Sequence, residues 1–274
     1  MGDVLRVSLI QTDIVWEDKR ANLDKYAAIL SHITGDCDLV VFPEMFTTGF
    51  SMNAQSLAED VNGETISTVK CWASSLETIT EVKKWSRNYN VAIAGSFIAR
   101  AGNVCFNRGF FIEPDGSEHY YDKRHLFRMG EEGRHFVSGS EKLIVNYRGW
   151  NICLLVCYDL RFPVWCRNVG NEYDLLLFVA NWPQSRSYAW RNLLIARAIE
   201  NAAYVCGVNR IGQDETSMVY RGDTMAIGVK GEVIAESEPF VPQVVNVELD
   251  LSKLKSFREK FPVWKDADEF VLKK

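Results

Sequence analysis

The cysteines and histidines of this sequence lack the spacing of a disulfide framework or a metal site. No two of its seven cysteines form a Cys-x-x-Cys pair, and its four histidines are not spaced as ligand pairs. An odd number of cysteines scattered along a long chain is typical of reduced thiols in a cytosolic protein. We therefore predict a cytoplasmic protein without a structural metal site.

The sequence also lacks the features of membrane and nucleic-acid binding. No apolar run approaches the roughly 18 residues that a membrane helix requires. Residues 1–6 do not form a basic segment leading into an apolar one, so we expect no targeting signal. The 31 Lys and Arg against 36 Asp and Glu give a net charge of -5, without a long run of either sign. We expect neither a membrane nor a nucleic acid as a partner.

The chain does contain enough apolar residues for a large core. Of its 274 residues 47% are hydrophobic, which excludes a disordered chain. No repeat, low-complexity stretch or Pro/Gly/Ser-rich linker marks a boundary. We predict a single domain over residues 1–274, with two small domains as the alternative.

Short apolar runs alternate with longer amphipathic ones, as in an α/β protein. The pattern predicts helices at Ala21–Ile33, Thr65–Tyr89 and Tyr188–Asn201. It predicts a hairpin of Thr224–Val229 with Val233–Ala235, and strands at Val4–Gln11, Asp38–Phe42, Val91–Phe97, Asn107–Ile112, Ile152–Val156, Leu175–Ala180 and Tyr204–Val208. Residues 250–274 have apolar anchors but weak periodicity, so we predict a C-terminal tail that packs on a partner subunit.

Three reactive or charged side chains follow predicted buried strands, namely Glu44, Lys123 and Cys157. Cys157 lies at a predicted strand-to-helix elbow, where backbone N–H groups could bind an oxyanion. Glu44 is flanked by apolar residues and is placed to act as a base. Each residue has a structural alternative: a core thiol for Cys157, a salt-bridged carboxylate for Glu44, and a solvated charged loop for Lys123.

In this order, the three segments resemble the signature of the nitrilase, or carbon-nitrogen hydrolase, superfamily. Phe42-Pro43-Glu44 is similar to its catalytic-glutamate motif. The run Asp122–Phe127 is similar to its lysine motif, and Cys157–Pro163 to its nucleophile elbow. The separations of 79 and 34 residues between the three key positions also suit that family. The resemblance covers nearly the whole chain and includes Asn181-Trp182-Pro183.

The resemblance implies a four-layer α-β-β-α sandwich that forms a homodimer or higher homo-oligomer and acts on a small-molecule amide without a cofactor. It implies that Cys157 is a nucleophile that forms a thioester. Glu44 would be the general base and acid. Lys123 and the backbone N–H of Tyr158 would stabilise the oxyanion.

A second glutamate of the family lies seven residues before a glycine. Counting back from Gly139 gives Glu132, with the adjacent Glu131 as the alternative. This glutamate would hydrogen-bond to Lys123 or to the substrate nitrogen and fix the geometry.

Within the superfamily, the motifs look most like those of bacterial omega-amidases. This similarity implies hydrolysis of 2-oxoglutaramate and 2-oxosuccinamate to 2-oxo dicarboxylates and ammonia. Such substrates carry a carboxylate remote from the amide and need a cation opposite the elbow. Arg161, Arg186 and Arg191 are the candidate cations. Aromatic residues near the motifs are candidate pocket walls, or else ordinary core: Phe46, Phe50, Trp182 and Tyr188.

The sequence leaves three alternatives open. The protein could be another small-amide or N-carbamoyl hydrolase of the superfamily, including one that acts on a deaminated peptide. It could be a Cys-His protease with His125 or His135 as the base, although neither lies in a local protease signature. It could be a non-catalytic dimeric binding module, which would have no physical need for Glu44, Lys123 and Cys157 together.

Overall fold

The computed structural model describes residues 3–33, 37–60 and 77–272. Within these residues the α-helices are α1 (Lys19–His32), α2 (Ala54–Leu57), α3 (Glu77–Tyr89), α4 (Pro163–Cys166), α5 (Ser187–Asn201) and α6 (Leu251–Lys260). The strands are β1 (Val4–Gln11), β2 (Leu39–Val41), β3 (Glu59–Asp60), β4 (Ala92–Ala101), β5 (Val104–Ile112), β6 (Glu118–Asp122), β7 (Leu143–Tyr147), β8 (Trp150–Val156), β9 (Leu175–Ala180), β10 (Tyr204–Asn209), β11 (Ile211–Gln213), β12 (Val219–Arg221), β13 (Met225–Ile227), β14 (Val233–Glu236) and β15 (Gln243–Asp250).

Most of the strands form two sheets. The first has the order β15-β1-β2-β4-β5-β6, with the short β3 paired to β4. The second has the order β14-β13-β10-β9-β8-β7, and β11 pairs with β12 as a separate hairpin. The central pairs β1–β2 and β2–β4 of the first sheet, and β8–β9 and β9–β10 of the second, are parallel. Parallel neighbours need long crossover connections, which are commonly helical, and this explains the α/β rhythm of the sequence.

Side-chain alternation in the first sheet separates two cores. Leu39 and Val41 of β2 face the second sheet and share a buried cluster with Ile152 of β8. Val40, between them, points the other way and packs against α1 and α3, where Tyr26 contributes to the cluster. Because successive residues of a strand face opposite sides, one sheet supports a helical layer and a second sheet at once.

The outer face of the second sheet is covered by α5. Trp190 and Leu194 of this helix are buried in the same cluster as the strands. A Cβ atom at Gly207 of β10 would lie 2.4 Å from the Leu194 side chain, so glycine is required for the helix to approach the strand. The layers are therefore α-β-β-α, and the predicted four-layer sandwich is confirmed.

The predicted elements agree best where the apolar run is continuous. The strands Val4–Gln11 and Leu175–Ala180 have the predicted bounds. The helix predicted over Thr65–Tyr89 is observed as α3 from Glu77, and its residues 65–76 lie outside the described residues. The predicted hairpin forms as the antiparallel pair β13–β14.

The C-terminal segment begins with a helix that sequence periodicity did not predict. Leu251 and Leu254 of α6 are buried in the main cluster of their own chain. Arg258 donates to the Asp174 carboxylate at 2.8 Å and to the Tyr173 carbonyl oxygen at 2.7 Å. The first half of this segment is therefore anchored within the protomer, whereas its packing on a partner subunit stays a prediction.

Among the described residues, no helix has the length and apolar character to cross a membrane.

Candidate active site

The three predicted catalytic side chains follow strands of both sheets. Glu44 lies three residues beyond β2, Lys123 directly follows β6, and Cys157 directly follows β8. The fold brings the three together at one end of the sandwich, although up to 79 residues of sequence separate consecutive members.

Glu44, Glu132 and Lys123 form a buried ion cluster. The Lys123 ammonium donates to Oε1 of Glu44 at 2.9 Å and to the two oxygens of Glu132 at 3.0 and 3.1 Å. None of the three side chains is exposed to solvent. One ammonium between two carboxylates leaves one net negative charge, and such a charge is tolerated in a protein interior only with dense hydrogen bonding.

The choice between the two adjacent glutamates is clear in the structure. Glu132 is fully buried, whereas Glu131 is exposed and pairs with Arg134. Gly139, from which Glu132 was counted, donates its N–H to the Lys123 carbonyl oxygen at 3.0 Å. A Cβ atom at Gly139 would lie 2.1 Å from the Asp122 carbonyl oxygen, so only glycine fits against the lysine loop.

The charges of the cluster determine its protonation. Burial alone would lower the pKa of Lys123, but the carboxylates of Glu132 and Glu44 outweigh burial and raise that pKa above its ordinary value. Burial raises the pKa of Glu132, while the Lys123 ammonium opposes this shift. Lys123 is therefore a permanent ammonium, which suits an oxyanion donor.

Cys157 is the first residue of a 3-10 turn, Cys157–Arg161, that ends β8. Its φ of 45° lies in the left-handed region, which is strained for a residue with a side chain. Burial raises the pKa of its thiol well above the ordinary value, and the charge of Glu44 raises it further. Lys123 opposes this shift. The Cys157 thiol is thus neutral at rest, near the charge of the Glu44 carboxylate.

Two asparagines that were not predicted from the sequence hold Glu44. Asn107 donates from its amide to Oε1 of Glu44 at 2.7 Å and to Glu132 at 3.1 Å. The backbone N–H of Asn181 donates to Oε2 of Glu44 at 2.8 Å, and its carbonyl oxygen lies 4.0 Å from the Cys157 sulfur. Asn181 belongs to a quoted motif and could have been singled out, whereas nothing in the sequence around Asn107 signals its contact.

A cavity of about 300 Å³ opens onto the Cys157 thiol. Its walls are mainly aromatic and thioether side chains, with two arginines and one aspartate among them. The residues that line it include Trp16, Phe50, Met52, Phe127, Met129, Tyr158, Arg161, Trp182, Arg186, Asp214, Met218 and Tyr220. The volume is at the small end for ligand pockets, which favours a compact substrate.

Two of the three candidate arginines face this cavity. The Arg161 guanidinium lies 5.0 Å from the Trp182 ring centroid, and that of Arg186 lies 5.2 Å from the Phe127 ring centroid. Neither forms an ion pair with a carboxylate of the described residues. Arg191 does not line the cavity, because Glu236 and Asp223 engage its guanidinium on the outer side of α5.

Two predicted aromatic pocket residues are not in the cavity wall. Phe46 is fully buried and its ring lies 4.9 Å from those of Tyr26 and Phe42, in the core under the helices. Tyr188 is 82% exposed at the start of α5. Both predictions were wrong, since closeness in sequence to a motif does not determine the direction of a side chain.

The histidines do not support a Cys-His protease. His135 is exposed, and the Nδ1 atom of His125 lies 2.8 Å from the Asp159 carboxylate. The charges that act most strongly on the Cys157 thiol are those of Glu44, Lys123 and Glu132, not that of a histidine. In the described part of the chain, no group of three or more His, Cys, Asp or Glu side chains is arranged to hold a metal ion.

A four-layer sandwich that carries a thiol, a carboxylate and an ammonium at one end of its sheets is the architecture of a carbon-nitrogen hydrolase. Residues 6–259 match the carbon-nitrogen hydrolase family, and the chain belongs to this family, as its motifs predicted. The omega-amidase YafV of Escherichia coli K12 is 47% identical over 272 residues, 98% of each chain.

A second relative and a solved structure agree with this assignment. The 2-oxoglutaramate amidase of Bacillus subtilis strain 168 is 31% identical over 264 residues, which are 95% of this chain and 96% of the relative. XC1258 from Xanthomonas campestris is a CN-hydrolase superfamily protein whose crystal structure has an arsenic adduct in the active site. It superimposes with a TM-score of 0.91 at 42% identity, covering 98% of this chain and 99% of XC1258.

Proposed function

We propose that the protein is an omega-amidase that hydrolyses the terminal amide of 2-oxoglutaramate or 2-oxosuccinamate. The products are the 2-oxo dicarboxylate and ammonia, and the intermediate is a thioester on Cys157. The relatives support this choice within the family, because they include an omega-amidase and a 2-oxoglutaramate amidase.

The acylation step begins with proton transfer from the Cys157 thiol to Glu44. This transfer leaves the net charge of the buried cluster unchanged, so it creates no additional buried charge. The thiolate then attacks the amide carbon, and the carbonyl oxygen becomes negative beside the Lys123 ammonium and the backbone N–H of Tyr158. Glu44 returns its proton to the nitrogen, the carbon–nitrogen bond breaks, and ammonia leaves.

The deacylation step uses the same base. Glu44 removes a proton from water, the resulting hydroxide attacks the thioester carbon, and the sulfur leaves as the Cys157 thiol after taking the proton back. General acid–base catalysis of this kind contributes about 10²- to 10⁴-fold. Glu132 touches Lys123 from the other side and keeps the ammonium directed at the oxyanion.

The charge of the cavity supports a substrate with a remote carboxylate. Arg161 and Arg186 present guanidinium groups near the thiol without an ion-pair partner among the described carboxylates. A carboxylate is the anion that a guanidinium binds with paired hydrogen bonds. The aromatic faces under both guanidinium groups restrict their movement and favour a fixed binding position.

One observation carries the proposal: the Cys157 thiol opens onto a small cavity and is acted on by the charge of the buried Glu44 carboxylate, which is itself held 2.9 Å from the buried Lys123 ammonium. This arrangement supplies the nucleophile, base and oxyanion donor that amide hydrolysis needs. A binding module would gain nothing from an uncompensated buried carboxylate.

Ammonia release by the purified protein tests the proposal. The compounds to compare are 2-oxoglutaramate, glutamine, an N-carbamoyl amino acid and an aliphatic nitrile. We expect the highest kcat/KM for 2-oxoglutaramate. A higher value for the carbamoyl compound would identify the alternative hydrolase, and turnover of none would contradict the enzyme assignment.

The protein is further proposed to act as a cytoplasmic homodimer or higher homo-oligomer built from one domain per chain. The described cysteines are all free thiols, in keeping with a reducing compartment. Phe261, Phe270 and Val271 expose apolar side chains after α6, which supports packing of this tail on a partner subunit. Light scattering of the full chain and of a chain ending at residue 260 tests the oligomeric state and the role of the tail, because loss of the tail should weaken assembly.

A further inference from the structure

Asp159 is a fully buried carboxylate, two residues after the nucleophile, that accepts four hydrogen bonds. Its Oδ1 accepts from the backbone N–H of His125 at 2.9 Å and from Nδ1 of the same residue at 2.8 Å. Its Oδ2 accepts from the Tyr121 hydroxyl at 2.7 Å and from the backbone N–H of Val156 at 3.1 Å. No step of the proposed reaction uses this group.

The donors to Asp159 belong to the two segments that carry the catalytic groups. Tyr121 precedes Lys123 by two residues and His125 follows it by two, so the carboxylate is bonded on both sides of the lysine. Val156 directly precedes Cys157. A single side chain therefore joins the lysine loop of the first sheet to the nucleophile elbow of the second.

A second layer of contacts holds these donors in place. The Tyr121 oxygen accepts from the backbone N–H of Arg124 at 3.1 Å and from the Trp165 indole at 3.0 Å. The His125 ring stacks on Phe162 at 3.7 Å with an interplanar angle of 6°. The Asp159 carboxylate has about four lone-pair sites and accepts four hydrogen bonds, which makes the arrangement rigid and intolerant of a lost acceptor.

We propose that Asp159 is a positioning residue, whose carboxylate sets the separation between the Lys123 ammonium and the Cys157 sulfur. The oxyanion must fit between a donor on one segment and a nucleophile on the other, and such sites tolerate errors of only about 0.5 Å. The strained backbone at Cys157 depends on the same carboxylate, because the N–H of the preceding residue is one of its donors. This inference rests on the proposed function for its reaction but not for its geometry.

The variant Asp159→Asn tests the proposal, because the amide has the same shape but can accept from only one of the two backbone N–H groups. We expect kcat for 2-oxoglutaramate to fall by at least about tenfold while KM stays within about twofold. The matched control is Asp174→Asn. Asp174 is also a buried carboxylate, and it accepts from the backbone N–H of Asn151 on β8 and from the Arg258 side chain on α6, away from the thiol. That control should lose stability and keep kcat.

Inhibition by two ligands separates positioning from general loosening. The aldehyde 5-oxopentanoate adds to a thiol: the sulfur–carbon bond forms, the thiol proton ends on the former carbonyl oxygen, and the tetrahedral adduct requires Lys123 and Cys157 together. Glutarate has the same length and forms no adduct. We expect Asp159→Asn to weaken inhibition by the aldehyde by about the factor lost in kcat, with glutarate inhibition unchanged.

An Asp159→Asn variant that loses no more kcat than Asp174→Asn, or that weakens both inhibitors equally, would overturn the proposal. If Asp159→Asn does not fold, Tyr121→Phe replaces it as the test, because it removes one donor to Asp159. Tyr121→Phe should show a smaller loss of kcat and of aldehyde inhibition. A kcat of Tyr121→Phe equal to that of the unmodified protein would overturn the proposal. Absence of turnover by the unmodified protein would instead contradict the proposed function, since aldehyde addition to Cys157 reports on Asp159 without amide hydrolysis.

Discussion

The Lys123 ammonium lies 2.9 Å from Oε1 of Glu44, and neither side chain is exposed to solvent. Each group explains why the other can remain charged in the interior. The carboxylates of Glu132 and Glu44 together raise the pKa of Lys123 and keep it protonated, and the ammonium supplies the counter-charge to the buried Glu44 carboxylate. Disturbing either partner should therefore change both catalysis and folding.

The substitution Lys123→Ala should reduce kcat by at least about 10²- to 10³-fold, because one oxyanion donor is lost. It should also lower the free energy of unfolding by about 3–5 kcal/mol, since two buried carboxylates lose their counter-charge. Steady-state kinetics and urea unfolding measure the two effects. Lys142→Ala, which breaks an ion pair with Glu172, is the control and should keep kcat. A Lys123→Ala enzyme with more than a tenth of normal turnover would contradict the assignment.

The substitution Glu44→Gln should lower turnover and raise thiol reactivity at the same time. Turnover falls by about 10²- to 10⁴-fold because the base is lost. The Glu44 charge raises the pKa of the Cys157 thiol, so its removal lowers that pKa and increases the thiolate fraction. The rate of Cys157 alkylation by iodoacetamide at pH 7.5, followed by peptide mass spectrometry, measures the thiolate. A parallel fall of both rates would indicate that Glu44 acts only structurally.

Stability should decrease at alkaline pH. Burial raises the pKa of Cys206 from 9.0 to about 12. The stabilisation from this thiol is complete below pH 9 and is lost as pH rises toward 12, because only the unfolded chain releases the proton in that window. The loss is about 1.4 kcal/mol for each pH unit and each such thiol. Urea unfolding between pH 8 and 10.5 measures how steeply the free energy of unfolding falls with pH. Cys206→Ala should make this slope shallower by the contribution of one proton, up to about 1.4 kcal/mol per pH unit. An unchanged slope would contradict the burial effect.

The substitution Arg186→Ala should reduce kcat/KM for 2-oxoglutaramate by about 10- to 100-fold, since a hydrogen bond to a charged group contributes about 1.5–3 kcal/mol. The loss should be in KM and should be absent for a neutral amide such as butyramide. Arg191→Ala is the matched control, because that guanidinium pairs with Glu236 outside the cavity. Equal losses for the charged and neutral amides would exclude Arg186 as a carboxylate ligand.

Metal chelation should leave activity unchanged, because the proposed steps need only the thiol, the carboxylate and the ammonium. The test is turnover after prolonged dialysis against a chelator. Inactivation that added metal reverses would contradict the mechanism.

The sequence predicted the fold best where local pattern and tertiary environment agree. The run Leu175–Ala180 is buried on both faces, and its continuous apolar residues mark its bounds. The strand Gln243–Asp250 was not predicted, although it pairs with the whole of β1 and its Val245, Val247 and Leu249 alternate with polar residues as in a half-exposed strand. The helix Leu251–Lys260 was also missed, since only a few of its residues are apolar and buried.

The placement of the candidate site residues was predicted where a residue has distinctive chemistry and a recognisable motif. Glu44, Lys123 and Cys157 are of this kind, and the structure brings them together. Asn107 could not be found, because its contact with Glu44 joins residues 63 positions apart and an amide has no special reactivity. Phe46 shows the opposite error: it lies beside a motif and was predicted to line the pocket, but its ring packs in the core.

The most direct test of the central claim is to trap the acyl enzyme. The protein is mixed with excess 2-oxoglutaramate, quenched in acid within milliseconds to seconds, and digested for mass spectrometry. We predict that the peptide containing Cys157 gains the mass of one 2-oxoglutaryl group, that hydroxylamine removes it, and that Cys157→Ala shows neither adduct nor turnover. Turnover by Cys157→Ala, or an adduct on a different residue, would contradict the account.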